Sequence, residues 1–260
     1  MKRWVLVFMI AGALSLWPGV VAANQVPVRF GEGSVHGFLE VRSTEGVLIA
    51  SGDLLQVTRG PEVESRMVFH FKDGSLFDET VVFTQQRVFT MRRYRLVERG
   101  SSFSEDTEIS LQRASGKYRV KTKRHKDGRE EIHEGTLDLP ADVYNGMVLT
   151  VAKNLPKQGA ETVHIVAFTP APRIIPLDLS PAGEQKVWVG GFPRSTARYV
   201  FKPRLGIWLR LMAKISGRMP PDSNVWIVTD GVPGFVRFEG SLVAAGPVWR
   251  IDLASPRWPG

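Results

Sequence analysis

Apolar and polar residues alternate along much of the first half of the chain. In residues 108–113, Ile109 and Leu111 alternate with polar side chains, and Tyr118 and Val120 do the same in the next segment. Successive side chains of a β-strand point to opposite faces of its sheet, so this pattern predicts antiparallel strands with one buried and one wet face. Residues 26–138 therefore read as a series of strands.

Short turn signals separate these strands. Asp-Gly at 73–74 and at 127–128 supplies the positive φ that a tight hairpin turn requires, and Ser-Gly at 115–116 closes a third hairpin. If the turn at 127–128 involves only those two residues, His133 lies opposite Thr122. We therefore predict three hairpins in this half of the chain.

Two segments repeat their apolar residues at three- and four-residue intervals, the period of an amphipathic helix. The first covers 138–155, with Asp138 as its N-cap, and Pro156 disfavours helical backbone at the residue before it. The second covers 205–215, with Gly217 as a C-terminal cap. The predicted stripes are Val143, Met147, Val148, Val151, Ala152 and Leu155 in the first helix, and Leu205, Trp208, Leu209, Met212 and Ile215 in the second.

Short β-like runs surround the second helix and continue to the end of the chain. They cover 162–168, 170–179, 184–192, 197–202, 224–230, 234–240 and 247–253. No repeat of fixed period and no low-complexity linker divides the chain, which favours a single β-rich domain over 24–260. The predicted fold class is all-β and mainly antiparallel: a strongly curved sheet, β-roll or barrel-like, with the two amphipathic helices packed on or in it.

The first 23 residues have the layout of a secretory signal peptide. Lys2 and Arg3 precede an apolar run over 4–17, and small residues end at Ala23. That run has 14 residues, whereas roughly 20 are needed to cross a bilayer. We therefore expect cleavage near Ala23 and a periplasmic or secreted protein.

Composition excludes several kinds of chemistry. The chain has no cysteine, so it has no disulfide, no thiolate nucleophile and no lipid-acceptor thiol. Its formal charge is +8, which falls to +6 without Lys2 and Arg3. Such an excess favours anionic surfaces, but an ordinary soluble basic surface is the preferred explanation, because net charge governs solubility and non-specific binding rather than a site.

No motif typical of a catalytic, metal or cofactor site is present. The five histidines are scattered, and no serine elbow or phosphate-binding loop occurs. The carboxylate pairs at 78–79 and 130–131 are sequence neighbours, which point to opposite faces of a strand. The sequence therefore predicts no catalytic residue, no metal ligand and no cofactor, although the fold can still bring distant carboxylates together.

One strand carries a row of positive charge. Its members are Lys117, Arg119, Lys121 and Lys123. Alternate positions project from one face of a strand, so the row is a candidate contact for lipid phosphate or an anionic membrane surface. The competing explanation is that lysines protect an edge strand from aggregation. Nucleic acid is not expected as a partner, since no aromatic stacking pattern accompanies the row.

The second half of the chain is rich in aromatic residues, which core packing explains by default. A cavity for an apolar ligand inside a curved sheet is the alternative. The aromatic set comprises Trp188, Phe192, Phe201, Trp208, Trp226, Phe235, Phe238 and Trp249. The candidates for a ligand cavity are Val143, Met147, Val151, Trp208, Trp226 and Phe235.

The order of these features resembles a known family. Hairpins lead to a segment that opens with LPADVYNG, more strands follow, and Trp226 precedes Pro233 and then Val236-Arg237. This layout is similar to the exported Gram-negative β-proteins catalogued as domain of unknown function 3108. The resemblance implies a rolled antiparallel sheet, with no established activity and no catalytic residues to carry over.

Three functions remain open at this point. The preferred one is a non-enzymatic envelope protein that acts as a binding or carrier scaffold for an apolar or lipid-like ligand, with the basic row contacting membrane. The second is an envelope hydrolase with carboxylates that the fold assembles, and the third is a structural or assembly partner that adds a strand to another protein.

Overall fold

The computed structural model describes residues 25–168, 171–204, 206, 221–243 and 246–254. In this part of the chain it has fourteen strands and one helix. The elements are β1 (Val35–Arg42), β2 (Leu48–Arg59), β3 (Glu62–Phe71), β4 (Leu76–Gln85), β5 (Phe89–Arg99), β6 (Glu105–Gln112), β7 (Lys117–Arg124), β8 (Glu130–Thr136), α1 (Val148–Asn154), β9 (Glu161–Ala167), β10 (Arg173–Val189), β11 (Phe192–Pro203), β12 (Ser223–Val228), β13 (Phe235–Gly240) and β14 (Trp249–Ala254).

All fourteen strands belong to one antiparallel sheet. Its order is β8-β7-β6-β5-β4-β3-β2-β1-β14-β13-β12-β11-β10-β9, so the chain builds outward from β1 to β8 and then crosses to the far end. It returns strand by strand from β9 until β14 pairs with β1. The predicted all-β, antiparallel class is confirmed. The sheet is not closed, because β8 and β9 do not pair with each other within the described residues.

The three predicted hairpins are present, and one of them has a different register. Gly74, Gly116 and Gly128 all have positive φ, as their turns require. The connection between β7 and β8 is longer than two residues, and Lys123 pairs with Glu130. His133 consequently lies opposite Val120, so the prediction that it faces Thr122 was wrong.

The first predicted helix is much shorter than expected. Only Val148–Asn154 is helical, while residues 138–147 form turns and a bridge to β9. The Tyr144 N–H donates to the His164 carbonyl, and the His164 N–H donates to the Asp142 carbonyl. Gly146 has a φ of 69°, which is incompatible with a right-handed helix. These backbone bonds replace the helical ones, so Asp138 is not a helix cap. The prediction that the helix ends before Pro156 is confirmed.

The segment between β8 and β9, residues 137–160, lies against one face of the curved sheet. We call it the crossover. Val120 of β7 and Val163 of β9 belong to the same buried cluster as Tyr144, Met147 and other crossover side chains. Tyr94 of β5 stacks on Phe168, which follows β9, with ring centroids 6.1 Å apart. Since β5 and β9 lie ten positions apart in the strand order, the sheet must curve.

Two predicted segments lie wholly or almost wholly outside the residues that the structure describes. The signal peptide over 1–23 and all but one residue of the second helix over 205–215 lie outside the described residues. Within the described part, no helix is long and apolar enough to span a bilayer.

Asn154 connects α1 to the segment that precedes β1. Its Oδ1 accepts the N–H groups of Arg29 at 2.9 Å and Phe30 at 2.8 Å, and its Nδ2 donates to the Thr150 carbonyl at 2.9 Å. We expect Asn154→Ala to lower the free energy of unfolding by about 1–3 kcal/mol, because two backbone donors lose their acceptor. Urea unfolding measures the change. Lys157→Ala, at an exposed position nearby, is the control, and equal effects of the two substitutions would contradict the role of Asn154.

Candidate functional site

The five described candidates for a ligand cavity are core residues rather than the lining of a common space. Val143, Met147 and Val151 are fully buried in the main cluster, which also contains Phe235. Trp226 belongs to a separate cluster with Val187, Val228 and Val236. Trp208 lies outside the described residues. The structure therefore brings Val143, Met147, Val151 and Phe235 together by packing, and leaves Trp226 elsewhere.

Two surface depressions, of about 160 and 190 Å³, lie among β5 to β8. Charged and hydroxyl side chains line both of them, with Glu98, Thr122 and Lys123 in the first and Glu108 and Arg119 in the second. Neither includes any of the five described cavity candidates. These polar linings do not suit an apolar ligand, since pockets for such ligands are lined mainly by apolar side chains.

The basic row on β7 is partly neutralised by its neighbour. Arg119 Nη1 lies 2.8 Å from Glu134 Oε1, and Lys121 Nζ lies 3.0 Å from Glu130 Oε2. Lys117 and Lys123 have no ion pair with a described carboxylate. The row is therefore half of a charge ladder with β8, which fits the protection of an edge strand and reduces its attraction for an anionic surface.

An exposed apolar feature lies at the hairpin of β10 and β11. Gly190 and Gly191 both have positive φ, at 57° and 86°, which is the pattern of a two-residue type I′ turn. Trp188 is 70% exposed and Phe192 is 72% exposed on either side of that turn. Exposed apolar side chains that lie close together can mark an interaction site, whereas single ones need no explanation. We call this hairpin end, residues 186–194, the aromatic tip.

The aromatic tip extends beyond the neighbouring strands. β12 pairs with β11 no further than Thr196, which leaves four residues to Phe192. At about 3.3 Å per residue, the tip projects about 13 Å past β12. On the other side, β9 stops pairing with β10 at Leu179. The end of the tip therefore lies beyond both neighbouring strands, while Val187 nearer its base stays buried against Trp226, Val228 and Val236.

Its two aromatic side chains point to opposite faces. Trp188 pairs with Pro193 and Phe192 pairs with Val189, and successive residues of a strand alternate in direction. Lys186 and Arg194 lie two residues behind the aromatics, one on each face. Each face of the tip is therefore apolar at its end and has a basic side chain about 7 Å further back, of which Arg194 is paired with Asp230.

A neighbouring connection supports the tip and adds a third apolar side chain. Asp230, between β12 and β13, accepts from the Arg194 guanidinium at 2.8 Å and from the Ser195 N–H at 3.2 Å. Val232 in the same connection is 87% exposed. The Arg194–Asp230 pair fixes this connection beside the base of the tip.

Two carboxyl groups on the core-facing side of β4 and β5 form a different kind of site. Glu79 lies opposite Leu96, so Glu98 is its diagonal neighbour. Burial raises the pKa of Glu79 to about 7, while the Tyr94 hydroxyl donates to its Oε1 at 3.0 Å. Burial, and then the charges of Glu79 and Glu105, raises the pKa of Glu98 to about 8. Both carboxyls therefore keep their protons to higher pH than an exposed glutamate does, but Glu98 is only 7% exposed, which leaves little room for a substrate.

Sequence reasoning missed the aromatic tip because it assigned aromatic residues to the core by default. Phe201, Phe235, Phe238, Trp226 and Trp249 are indeed buried. The overlooked signal is the Gly190-Gly191 dipeptide, which places the residues beside it at the end of a hairpin.

No model of a known family, no curated protein and no solved structure matches this chain. The resemblance to domain of unknown function 3108 therefore stays a prediction.

Proposed function

We propose that this chain is a non-enzymatic binding scaffold of the cell envelope that attaches to the surface of a lipid bilayer through its aromatic tip. The observation that carries the proposal is the exposure of Trp188 and Phe192 on opposite faces of one projecting hairpin end. The apolar ligand expected from the sequence is then the bilayer itself, which binds at the surface of the protein and not in a cavity.

The two-sided arrangement favours a bilayer over a flat protein partner. A partner that docks on one face of the hairpin removes only one of the two aromatic side chains from water. Insertion of the tip into the apolar edge of a bilayer desolvates both, and each large apolar side chain gains about 1.5–3 kcal/mol when it is fully buried.

The cations behind the aromatics fit the same environment. Aromatic rings favour the boundary between acyl chains and headgroups, while Lys and Arg reach toward the phosphate level. Lys186 lies about 7 Å behind the Trp188 end of the tip, as that layering requires. The export predicted from residues 1–23 would give the protein access to such a surface.

The carrier alternative has weaker support. The crossover fills the core side of the sheet with Val143, Met147 and Val151, where a carried lipid would need space. A rigid, filled sheet instead suits a scaffold that holds the tip in place. The second amphipathic helix remains part of the proposal, as an element that packs on this scaffold.

Binding to phosphatidylcholine vesicles tests the proposed function. We expect Trp188→Ser/Phe192→Ser to weaken binding of the mature chain by roughly 100-fold, since about 3 kcal/mol of apolar burial is lost. The substitutions lie at exposed positions, so the unfolding transition should stay unchanged. Vesicle co-sedimentation measures the affinity, and quenching by lipids brominated in their acyl chains reports whether Trp188 enters the bilayer.

The matched control is Val47→Ser/Ile132→Ser, which removes two exposed apolar side chains distant from the tip along the sheet. It should bind vesicles as the unmodified chain does. The proposal fails if the unmodified chain does not bind vesicles, or if both double substitutions weaken binding equally. Quenching that persists in Trp188→Phe would place another tryptophan in the bilayer and would also contradict the assignment.

A further inference from the structure

The turns of the sheet fall into two sets at its opposite ends, because each strand of the antiparallel order reverses direction. The turns at 59–61, 86–88 and 113–116 lie at the same end as the aromatic tip and the connection over 229–234. The turns at 43–47, 72–75, 100–104 and 125–129 lie at the opposite end. We call the first set, together with the segment over 25–34 that runs beside it, the tip end.

Exposed cations occupy several positions along the tip end. Arg59 and Arg87 occupy two of its turns, and Lys117 begins β7 beside a third. Arg29 lies beside the turn of Arg87, because the Val28 N–H donates to the Arg87 carbonyl at 3.0 Å. Phe30, next to Arg29, is a further exposed aromatic side chain.

These cations have no ion pair within the described residues, a property that they share with Lys72, Lys123 and Lys126 of the opposite end. No carboxylate of the described residues forms an ion pair with Arg29, Arg59, Arg87, Lys117 or Lys186. The turns at 59–61, 86–88 and 113–116 contain no acidic residue, although Glu62 is the cross-strand partner of Arg59 and Asp230 lies in the connection over 229–234.

The opposite end has a different charge pattern. Three of its turns contain a carboxylate, namely Glu45, Asp73 and Asp127. Asp73 is further held by hydrogen bonds from Ser101 and Ser102, both at 2.8 Å. Cations of this end therefore have acidic neighbours, and its attraction for an anionic surface is weaker.

We infer that the tip end is a headgroup-binding rim that recognises anionic phospholipid, with Arg59 and Arg87 contacting phosphate while the aromatic tip enters the bilayer. This inference rests on the proposed function and deepens it by naming the lipid class and the orientation. The unpaired cations are the ones that a negative surface attracts without first breaking an ion pair, and each Lys or Arg near such a surface strengthens attachment about fivefold. In this orientation the strands run toward the membrane, and the tip end is the end of the sheet that faces it.

Paired charge-removal variants test the rim. We expect Arg59→Gln/Arg87→Gln to weaken binding to vesicles that mix phosphatidylglycerol with phosphatidylcholine by about 30-fold at low salt. Binding to phosphatidylcholine alone should not change, since that surface has no net charge. The control is Lys72→Gln/Lys126→Gln, which removes two exposed cations from the opposite end and should change binding by less than about threefold.

Each outcome separates the rim from the tip. Equal losses in the two charge variants, or no loss in Arg59→Gln/Arg87→Gln, would overturn the rim. If Trp188→Ser/Phe192→Ser still binds phosphatidylcholine as the unmodified chain does, the proposed function fails whatever the charge variants show. If that variant loses binding while Arg59→Gln/Arg87→Gln binds mixed vesicles normally, the tip stands and the rim is wrong. Added salt should remove the rim contribution and leave the tip contribution.

Discussion

Gly52→Ala should prevent the chain from folding stably. Gly52 lies on the core-facing side of β2, between Ala50 and Leu54, and pairs with Phe69 of β3. A Cβ atom at this position would lie 1.8 Å from the Val68 carbonyl oxygen and 2.7 Å from Phe69 Cδ1. The nearer atom belongs to the backbone, so rotation of a side chain cannot relieve the overlap, and β2 or β3 must shift.

The expected loss exceeds the 1–3 kcal/mol that is usual for overpacking, and we place it above about 4 kcal/mol. That is a large share of the roughly 5–15 kcal/mol that stabilises a typical domain. Circular dichroism during thermal unfolding measures the effect. Gly33→Ala is the matched control, because a Cβ atom there meets nothing within 4 Å. A Gly52→Ala protein that unfolds within a few degrees of the unmodified chain would show that the strands are not in this register.

The strands of the sheet were predictable because their signals are local. Alternation of apolar and polar residues depends only on the backbone of the strand itself, and the glycines at 74, 116 and 128 mark their turns through φ. The register of β8 was not predictable, because the length of the turn before it depends on hydrogen bonds such as the one from the Arg124 N–H to the Arg129 carbonyl. A difference of two residues in that turn keeps the same face buried, so hydrophobic pattern alone cannot detect it.

The crossover shows how tertiary contacts replace a local preference. Its apolar residues recur with helical period, but Asn145 exchanges two hydrogen bonds with the backbone of Val166. Asp142 is fully buried and bonds the His164 ring at 2.9 Å. Both partners lie about twenty residues further along the chain, so a window of helical length does not contain them. The stripe from Val143 to Leu155 identified mostly buried residues correctly, but three of its six members lie outside the helix.

The candidate site was even less accessible to sequence reasoning. An aromatic residue in a strand is usually buried, and only the position of Trp188 relative to the ends of β9 and β12 leaves it exposed. The basic row was visible in the sequence, but its neutralisation by Glu130 and Glu134 follows from the pairing of β7 with β8. The spacing of charged residues predicts which face of a strand their side chains share, whereas their ion pairing depends on the neighbouring strand.

Stability should fall as the pH rises from about 5 to about 9, because of Glu79 and Glu98. In the unfolded chain both carboxyls ionise near their usual pKa of 4.5. In the folded protein their pKa values are raised to about 7 and about 8, chiefly by burial. The folded state therefore holds more protons across this interval, and the free energy of unfolding decreases with pH until both groups are ionised.

The effect is on the order of several kcal/mol, since each unit of pKa difference corresponds to about 1.4 kcal/mol. Glu79 keeps partial contact with solvent whereas Glu98 is 7% exposed, so Glu98 should carry the larger share. Urea unfolding at about pH 5 and about pH 9 measures it. Glu98→Gln keeps a neutral side chain of the same shape at both values, and its stability should depend much less on pH. Glu64→Gln, at an exposed site on β3, should keep the slope of the unmodified chain. Identical slopes in all three proteins would mean that the pKa of Glu98 is not raised in the fold, and would contradict the prediction for this residue.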